Sequence, residues 1–305
     1  MDQKDGKFLQ TAIFGDPPHT KEHSESIDIV IGSGDKGQTY LHWKGEGLFQ
    51  LPISYWREIG WINSPGYLDG TADFDRAIPP RCVECHATYF HALSPSPFAN
   101  QYDKLNFILN LSCERCHGPG GAHAETHQAV STGATSVVAP SDTAVIVNPR
   151  KLSRDRQMDV CSQCHGGLGQ PVAPAFTFVP GQALAQYIHL QTPEANANVD
   201  VHGNQVALLQ RSRCYQSSAN LTCTTCHNPH EAEKPTASYS TKCLTCHQPQ
   251  QCGEFANLGT KISDNCIDCH MPVQSSKLVI SELNGTQVKA LVRSHWIKVY
   301  ASAVR

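Results

Sequence analysis

Six segments of the form Cys-x-x-Cys-His run through this chain: CVECH at 82–86, CERCH at 113–117, CSQCH at 161–165, CTTCH at 223–227, CLTCH at 243–247 and CIDCH at 266–270. Each is the attachment signature of c-type haem. Two thiols bond to the haem edge, and the adjacent histidine, held close to the ring by that tether, becomes the proximal iron ligand. The spacing therefore predicts six covalently attached haem c groups. Their thioether cysteines are Cys82, Cys85, Cys113, Cys116, Cys161, Cys164, Cys223, Cys226, Cys243, Cys246, Cys266 and Cys269, and their proximal ligands His86, His117, His165, His227, His247 and His270. Zinc knuckles and thiol redox sites also use Cys-x-x-Cys, but neither needs a histidine after every second cysteine.

Six flat apolar cofactors constrain the fold. The motifs occupy residues 82 to 270 of 305 without a long interruption, so the haems form much of the core. With 22 glycines, 19 prolines and 17% charged residues the protein part is loop-rich, and a haem-free chain is expected to be largely unfolded. The expected fold is mainly irregular, with short α-helices around six covalent c-type haems, a small β-rich N-terminal module and a C-terminal β-hairpin. Residues 1–80 would be the β-rich module and residues 81–305 one continuous hexahaem cytochrome domain. Proximal histidines follow one another at intervals of 31, 48, 62, 20 and 23 residues, so no fixed repeat supports a solenoid.

Residues 27–31 and 38–43 read as strands around Gly32-Ser33-Gly34-Asp35-Lys36-Gly37, with 45–51 a further extended piece. That glycine run matches GxGxxG, but a dinucleotide site needs a helix after it, and Gln38-Thr39-Tyr40-Leu41-His42-Trp43 is β-prone. A hairpin is the better reading. Residues 183–190 and 205–213 are the better helix candidates between motifs. Residues 277–283 and 286–292 alternate around Asn284-Gly285, a strong hairpin signal that leads into His295.

Ten of the sixteen histidines lie outside the motifs: His19, His23, His42, His91, His123, His127, His189, His202, His230 and His295. With only three methionines, axial methionine is uncommon here, which points to bis-histidine haems of low potential. His91, His123 and His230 sit just past a proximal histidine, too close to reach around to the same iron but well placed for a neighbouring one. His42, His202 and His295 lie in otherwise haem-free segments beside apolar or glycine residues. These six are the distal candidates. His127 could exchange roles with His123, and His189 is the reserve for His202.

The formal charge of −3 excludes a broad basic surface for nucleic acid, and no stretch reaches the length of a transmembrane segment. Met1-Asp2-Gln3-Lys4-Asp5 lacks an apolar leader core. Since c-type haem is attached outside the cytoplasm, the sequence reads as a processed form from which the signal peptide has been removed, periplasmic or extracellular. Cys214 and Cys252 remain outside the motifs; a disulfide between them and two buried thiols are the alternatives.

The chain resembles multihaem c-type cytochromes. CERCHGPGGAH is similar to an element of the tetrahaem cytochromes related to hydroxylamine oxidoreductase, which implies a distal role for His123. CTTCHNPH and CIDCHMP resemble elements of that lineage and of the multihaem nitrite reductases, implying distal roles for His230 and for His295, after the CHMP element. IGSGDKGQTYL, LFQLPISYW and SPGY, with SRCYQSS at 212–218, resemble multihaem modules often joined to tetratricopeptide repeats, which are absent here. The CxxCK motif that carries the catalytic lysine of pentahaem nitrite reductases is also absent.

The expected function is electron transfer through closely spaced, mostly bis-histidine haems, with redox partner proteins as a discrete carrier or with identical subunits in an extracellular filament. The alternative is an oxidoreductase whose one open haem acts on small nitrogen or sulfur species.

Overall fold

The computed structural model describes residues 2–131, 146–191, 193–194, 197–232 and 234–300. The chain divides into two compact units. Met1–Asn148, Pro171–His189 and Val279–Lys289 form the first; Pro149–Gln170, Leu190–Leu278 and Ala290–Arg305 form the second. The division does not fall at residue 80, where the sequence suggested it. The first two Cys-x-x-Cys-His segments belong to the first unit and the other four to the second.

In the first unit, β1 (Asp2–Lys4), β2 (Lys7–Phe14) and β3 (Lys21–Ser26) form an antiparallel meander. The buried Gln10 ties it to the next sheet by using its amide like a strand partner: Nε2 donates to the Ile53 carbonyl at 2.8 Å and Oε1 accepts from the Ile53 N–H at 2.9 Å. That sheet comprises β4 (Ile29–Ile31), β5 (Gly37–Lys44), β6 (Gly47–Gln50), β7 (Ile53–Trp56), β8 (Gly60–Asn63) and β9 (Arg76–Ala77), in the order β8-β7-β5-β6-β9 with β4 also paired to β5. The glycine run 32–37 is the turn between antiparallel β4 and β5. Gly32 adopts φ +100°, and a Cβ there would meet the Gly37 carbonyl oxygen at 2.5 Å, so the turn requires glycine.

Side chains alternate across a strand, so β5 feeds two cores. Leu41 packs with Ile29, Ile31 and Leu48 on one face, while Tyr40 joins Leu51 and Phe74 on the other. The first of these cores explains why the unit extends past residue 80. Helix α1 (Pro80–His86), with proline at its first position, adds Val83, and strand β10 (Ala87–Ala92) adds Ala87 and Phe90. Strand β11 (Tyr102–Leu109) adds Tyr102, and Phe107 stacks on Phe90 at 5.1 Å. The first motif is thus fused to the β-sheet by its own apolar residues. Helices α2 (Glu114–His117) and α3 (Gly121–Ser131) follow. The short β12 (Gln170–Pro171) pairs with β13 (Ile188–His189).

The second unit is helical: α4 (Arg154–His165), α5 (Gln205–Gln210), α6 (Arg213–Ser217), α7 (Cys223–Cys226), α8 (Thr236–Cys243), α9 (Phe255–Leu258) and α10 (Cys266–His270). Ser153 caps α4 by accepting from the Arg156 N–H. Its apolar cluster is small, built on Met158, Val206 and Leu209.

Two helix expectations are corrected. Residues 205–213 do not form one helix: it stops at Gln210 and resumes at Arg213, because the intervening Ser212 hydroxyl is engaged by the backbone of residues 295 and 297. Residues 183–190 form only a 3-10 turn at Leu184–Gln186 before β13, since the Tyr187 carbonyl accepts from the N–H groups of Val172 and Ala173. Near the end, β14 (Val273–Leu283) and β15 (Thr286–Arg293) pair around Asn284 and Gly285, at φ +52° and +72°, the left-handed pair of a type I′ turn.

Phe90→Ala removes the ring shared by sheet, ladder and first motif. It is expected to destabilise the folded protein by about 3–5 kcal/mol, measured by denaturant unfolding followed by circular dichroism.

Candidate haem sites

Each motif lies on or beside a short helix that gathers its cysteines on one turn. His86, His117, His165 and His270 end α1, α2, α4 and α10, His227 follows α7, and His247 lies just beyond α8. Two of these imidazoles have a fixed tautomer. His117 Nδ1 lies 2.7 Å from the Val147 carbonyl and His270 Nδ1 2.9 Å from the Lys298 carbonyl. Donation from Nδ1 leaves Nε2 with a lone pair for a metal, the usual outer partner of a ligating histidine.

Within each unit, consecutive motifs adjoin. Thr88, two residues after His86, accepts from the Ser112 N–H at 2.7 Å and donates to the Asn110 carbonyl at 2.6 Å, so the first two motifs sit at one end of the β10–β11 ladder. In the second unit, Cys161 of the third motif hydrogen-bonds Cys223 of the fourth, which pushes the Cys161 thiol up and Cys223 down. Burial pushes Cys243 of the fifth motif up to about 11, helped by Cys266 of the sixth and by Cys226 of the fourth. Ser240 on α8 accepts from the Cys266 N–H at 3.0 Å, which holds α10 against it.

Four histidines of the second unit come together. Burial lowers the pKa of His165, with neighbouring His202 and His227 contributing. His202 is lowered by burial, and His295 is pushed down to about 4 by burial and by neighbouring His227. Neutral imidazole is the form that binds metal. The rings of His227 and His295 are 6.0 Å apart centre to centre. An iron held between two imidazoles, with bonds of about 2 Å and about 1.1 Å from nitrogen to ring centre, needs about 6.2 Å. His295 Nδ1 is also buried without a hydrogen-bond partner. A buried imidazole with an unpartnered nitrogen, its ring at that separation from a second imidazole, fits a haem iron.

His295 is positioned from outside the motifs. Ser212, fully buried, donates to the His295 carbonyl at 3.1 Å and accepts from the Ile297 N–H at 2.7 Å. The same strap touches the sixth motif: the Ser294 N–H donates to the Pro272 carbonyl at 3.1 Å, and Arg293 pairs with Asp268 at 2.8 Å. Sequence reasoning passed over Ser212; its only signal was its place in SRCYQSS.

The other distal candidates are less engaged. His42 is corrected to a core histidine of the β-sheet. Its Nε2 lies 2.9 Å from the Phe74 carbonyl, Nδ1 faces the Glu25 carboxylate at 3.4 Å without hydrogen-bond alignment, and Phe49 and Phe74 pack against the ring. His91 Nδ1 meets the Tyr89 hydroxyl at 3.2 Å. His123 and His127 are 4.4 Å apart by ring centres, too close for an iron between them. His230 is exposed.

No cysteine is in a disulfide, so the Cys214–Cys252 bridge is not formed. Cys214 neighbours Cys226, Cys243 and Cys246, whereas Cys252 neighbours Cys269. Among the described residues no three or more His, Cys, Asp or Glu side chains are gathered as a direct metal site. Among those residues no helix is long and apolar enough to cross a membrane.

Residues 64–118 match the family model described as cytochrome c554 and c-prime, a segment that includes the first two motifs. The match supports covalently bound haem c, as in multihaem c-type cytochromes. No curated protein and no solved structure matches the chain.

Ser212→Ala leaves the Ile297 N–H without its acceptor and loosens the segment carrying His295. The expected cost is about 1–3 kcal/mol in unfolding free energy, measured by denaturant titration, with Ser212→Thr retaining most of the stability.

Proposed function

We propose that this chain transfers electrons through six covalently attached c-type haems, most of them ligated by two histidines. The adjoining of consecutive motifs carries the reading: third to fourth through Cys161 and Cys223, fourth to fifth through the neighbourhood of Cys226 and Cys243, fifth to sixth through α8 and α10. Haem c, when bound, supplies a one-electron iron couple. The chain's part is to hold each cofactor against the next. Adjacent attachment points keep the haem edges close, and neutral, desolvated imidazoles favour closed iron over substrate binding.

Within this reading His227 is the proximal and His295 the distal ligand of the fourth haem, and His202 is the second ligand of the third. His91, His123 and His230 serve three of the four remaining irons, and one of the reserves His127 and His189 serves the last. The carrier works in the periplasm or outside the cell, where c-type haem is attached. Its partners are redox proteins or further copies of the chain in a filament. Sedimentation of the holoprotein separates these: a single species of one chain supports a discrete carrier, a concentration-dependent polymer the filament.

Low-temperature EPR with near-infrared magnetic circular dichroism of the oxidised holoprotein tests the ligation. Low-spin bis-histidine signals alone are expected. His295→Ala is expected to convert one haem in six to a high-spin or otherwise altered ferric signal. A stoichiometric high-spin haem in the unsubstituted protein would instead indicate an open iron and an oxidoreductase.

A further inference from the structure

We propose that the sixth motif positions the distal ligand of the fourth haem. Residues 293–300 are fastened to that motif and carry His295, so loading the sixth site helps to close the fourth iron. This deepens the electron-transfer reading and rests on the ligation of the fourth haem by His227 and His295.

The fastening runs along the segment. Arg293 Nη1 donates to the Met271 carbonyl at 2.7 Å, and Nη2 pairs with Asp268, inside CIDCH, at 2.8 Å. The Ser294 N–H donates to the Pro272 carbonyl at 3.1 Å. Lys298 and His270 are joined twice: His270 Nδ1 stands 2.9 Å from the Lys298 carbonyl, and the Lys298 N–H donates to the His270 carbonyl at 3.3 Å. In sequence His295 thus falls between two attachments to the sixth motif, while Ser212 holds its carbonyl at 3.1 Å.

The segment is also braced within itself. The buried Ser294 hydroxyl accepts from the Trp296 N–H at 3.2 Å, which closes a turn around His295. The Tyr300 hydroxyl donates to the Trp296 carbonyl at 2.8 Å, and the Lys298 ammonium lies 3.5 Å from the centre of the Trp296 ring. A displacement at Lys298 is therefore felt at His295.

The sixth site acts on this segment through a tautomer. A free neutral imidazole can carry its proton on either nitrogen, and only the form protonated at Nδ1 can donate to the Lys298 carbonyl. Ligation of His270 through Nε2 leaves the proton on Nδ1, so an occupied sixth site makes the bond to Lys298 obligatory. The ordered segment then presents His295 to the fourth iron. Such coupling between two sites is reciprocal, so closure of the fourth iron favours loading of the sixth.

EPR of the oxidised, full-length holoprotein tests this. The low-spin signal that His295→Ala removes marks the fourth haem. In Cys266→Ala/Cys269→Ala, which lacks the sixth covalent haem, that signal is expected to be lost from most chains and replaced by a high-spin one, with five haems still counted by mass. Cys113→Ala/Cys116→Ala, in the first unit, is expected to keep it. Should the variant without the sixth haem not fold, Arg293→Gln keeps all six motifs: the signal is expected to weaken in R293Q and to return in R293K. A full-strength signal in the five-haem protein, or in R293Q where that protein does not fold, would overturn the proposal while leaving electron transfer intact. Equal loss on removing the second haem would overturn it too. If H295A removed no low-spin signal, the ligation beneath the proposal would fall instead.

Discussion

Covalent tethering of a large apolar disc beside its own ligand sets the terms for the rest of this chain. Once two thiols of one helical turn hold a haem, the cofactor cannot be placed independently of that turn. The geometry of the proposed cofactor array is then the geometry of the motifs. Here the motifs are brought together through their own residues: Arg115 reaches Glu84, Cys161 meets Cys223, and Cys243 neighbours Cys266. In these three seams the contact comes from within the Cys-x-x-Cys-His segments, so that little intervening protein would separate the proposed cofactors.

The two units meet this requirement by different means. The first leans on a protein core: Leu41, Leu48, Phe90 and Tyr102 bury β-sheet and motif together, each large apolar side chain contributing about 1.5–3 kcal/mol. The second has only the small cluster around Met158, Val206 and Leu209, and relies on polar clamps such as Ser212 and the carbonyl of Lys298. Such clamps are costly to break because each satisfies buried backbone groups. On the proposed function, folding of the second unit is tied to haem attachment, as in small metalloproteins whose site and fold form together.

Much of this was legible in the sequence where the signal was local. The Asn284-Gly285 turn, the glycine turn at 32–37 and the strands around it follow from backbone rules that act over a few residues. What failed was set by distant partners. Residues 205–213 have a helical pattern, but Ser212 is claimed by residues 295 and 297, and no local signal could report that. His42 has the buried setting expected of an iron ligand and is occupied instead by Phe74, outside any strand, and by Glu25, on β3 of the other sheet, both distant in sequence. The first unit runs past residue 80 because Val83, within the first motif, and Ala87, just after it, belong to the sheet's core. Glu84 and Arg115 were readable as charges inside motifs; their mutual burial was not.

The count of covalent cofactors tests the central claim most directly. Mass spectrometry of the intact chain under denaturing conditions, after expression with a c-type haem attachment system, should give the polypeptide mass plus six haem increments that survive unfolding. A chain carrying fewer than six haems, or losing them on denaturation, would contradict a cofactor array built on all six motifs.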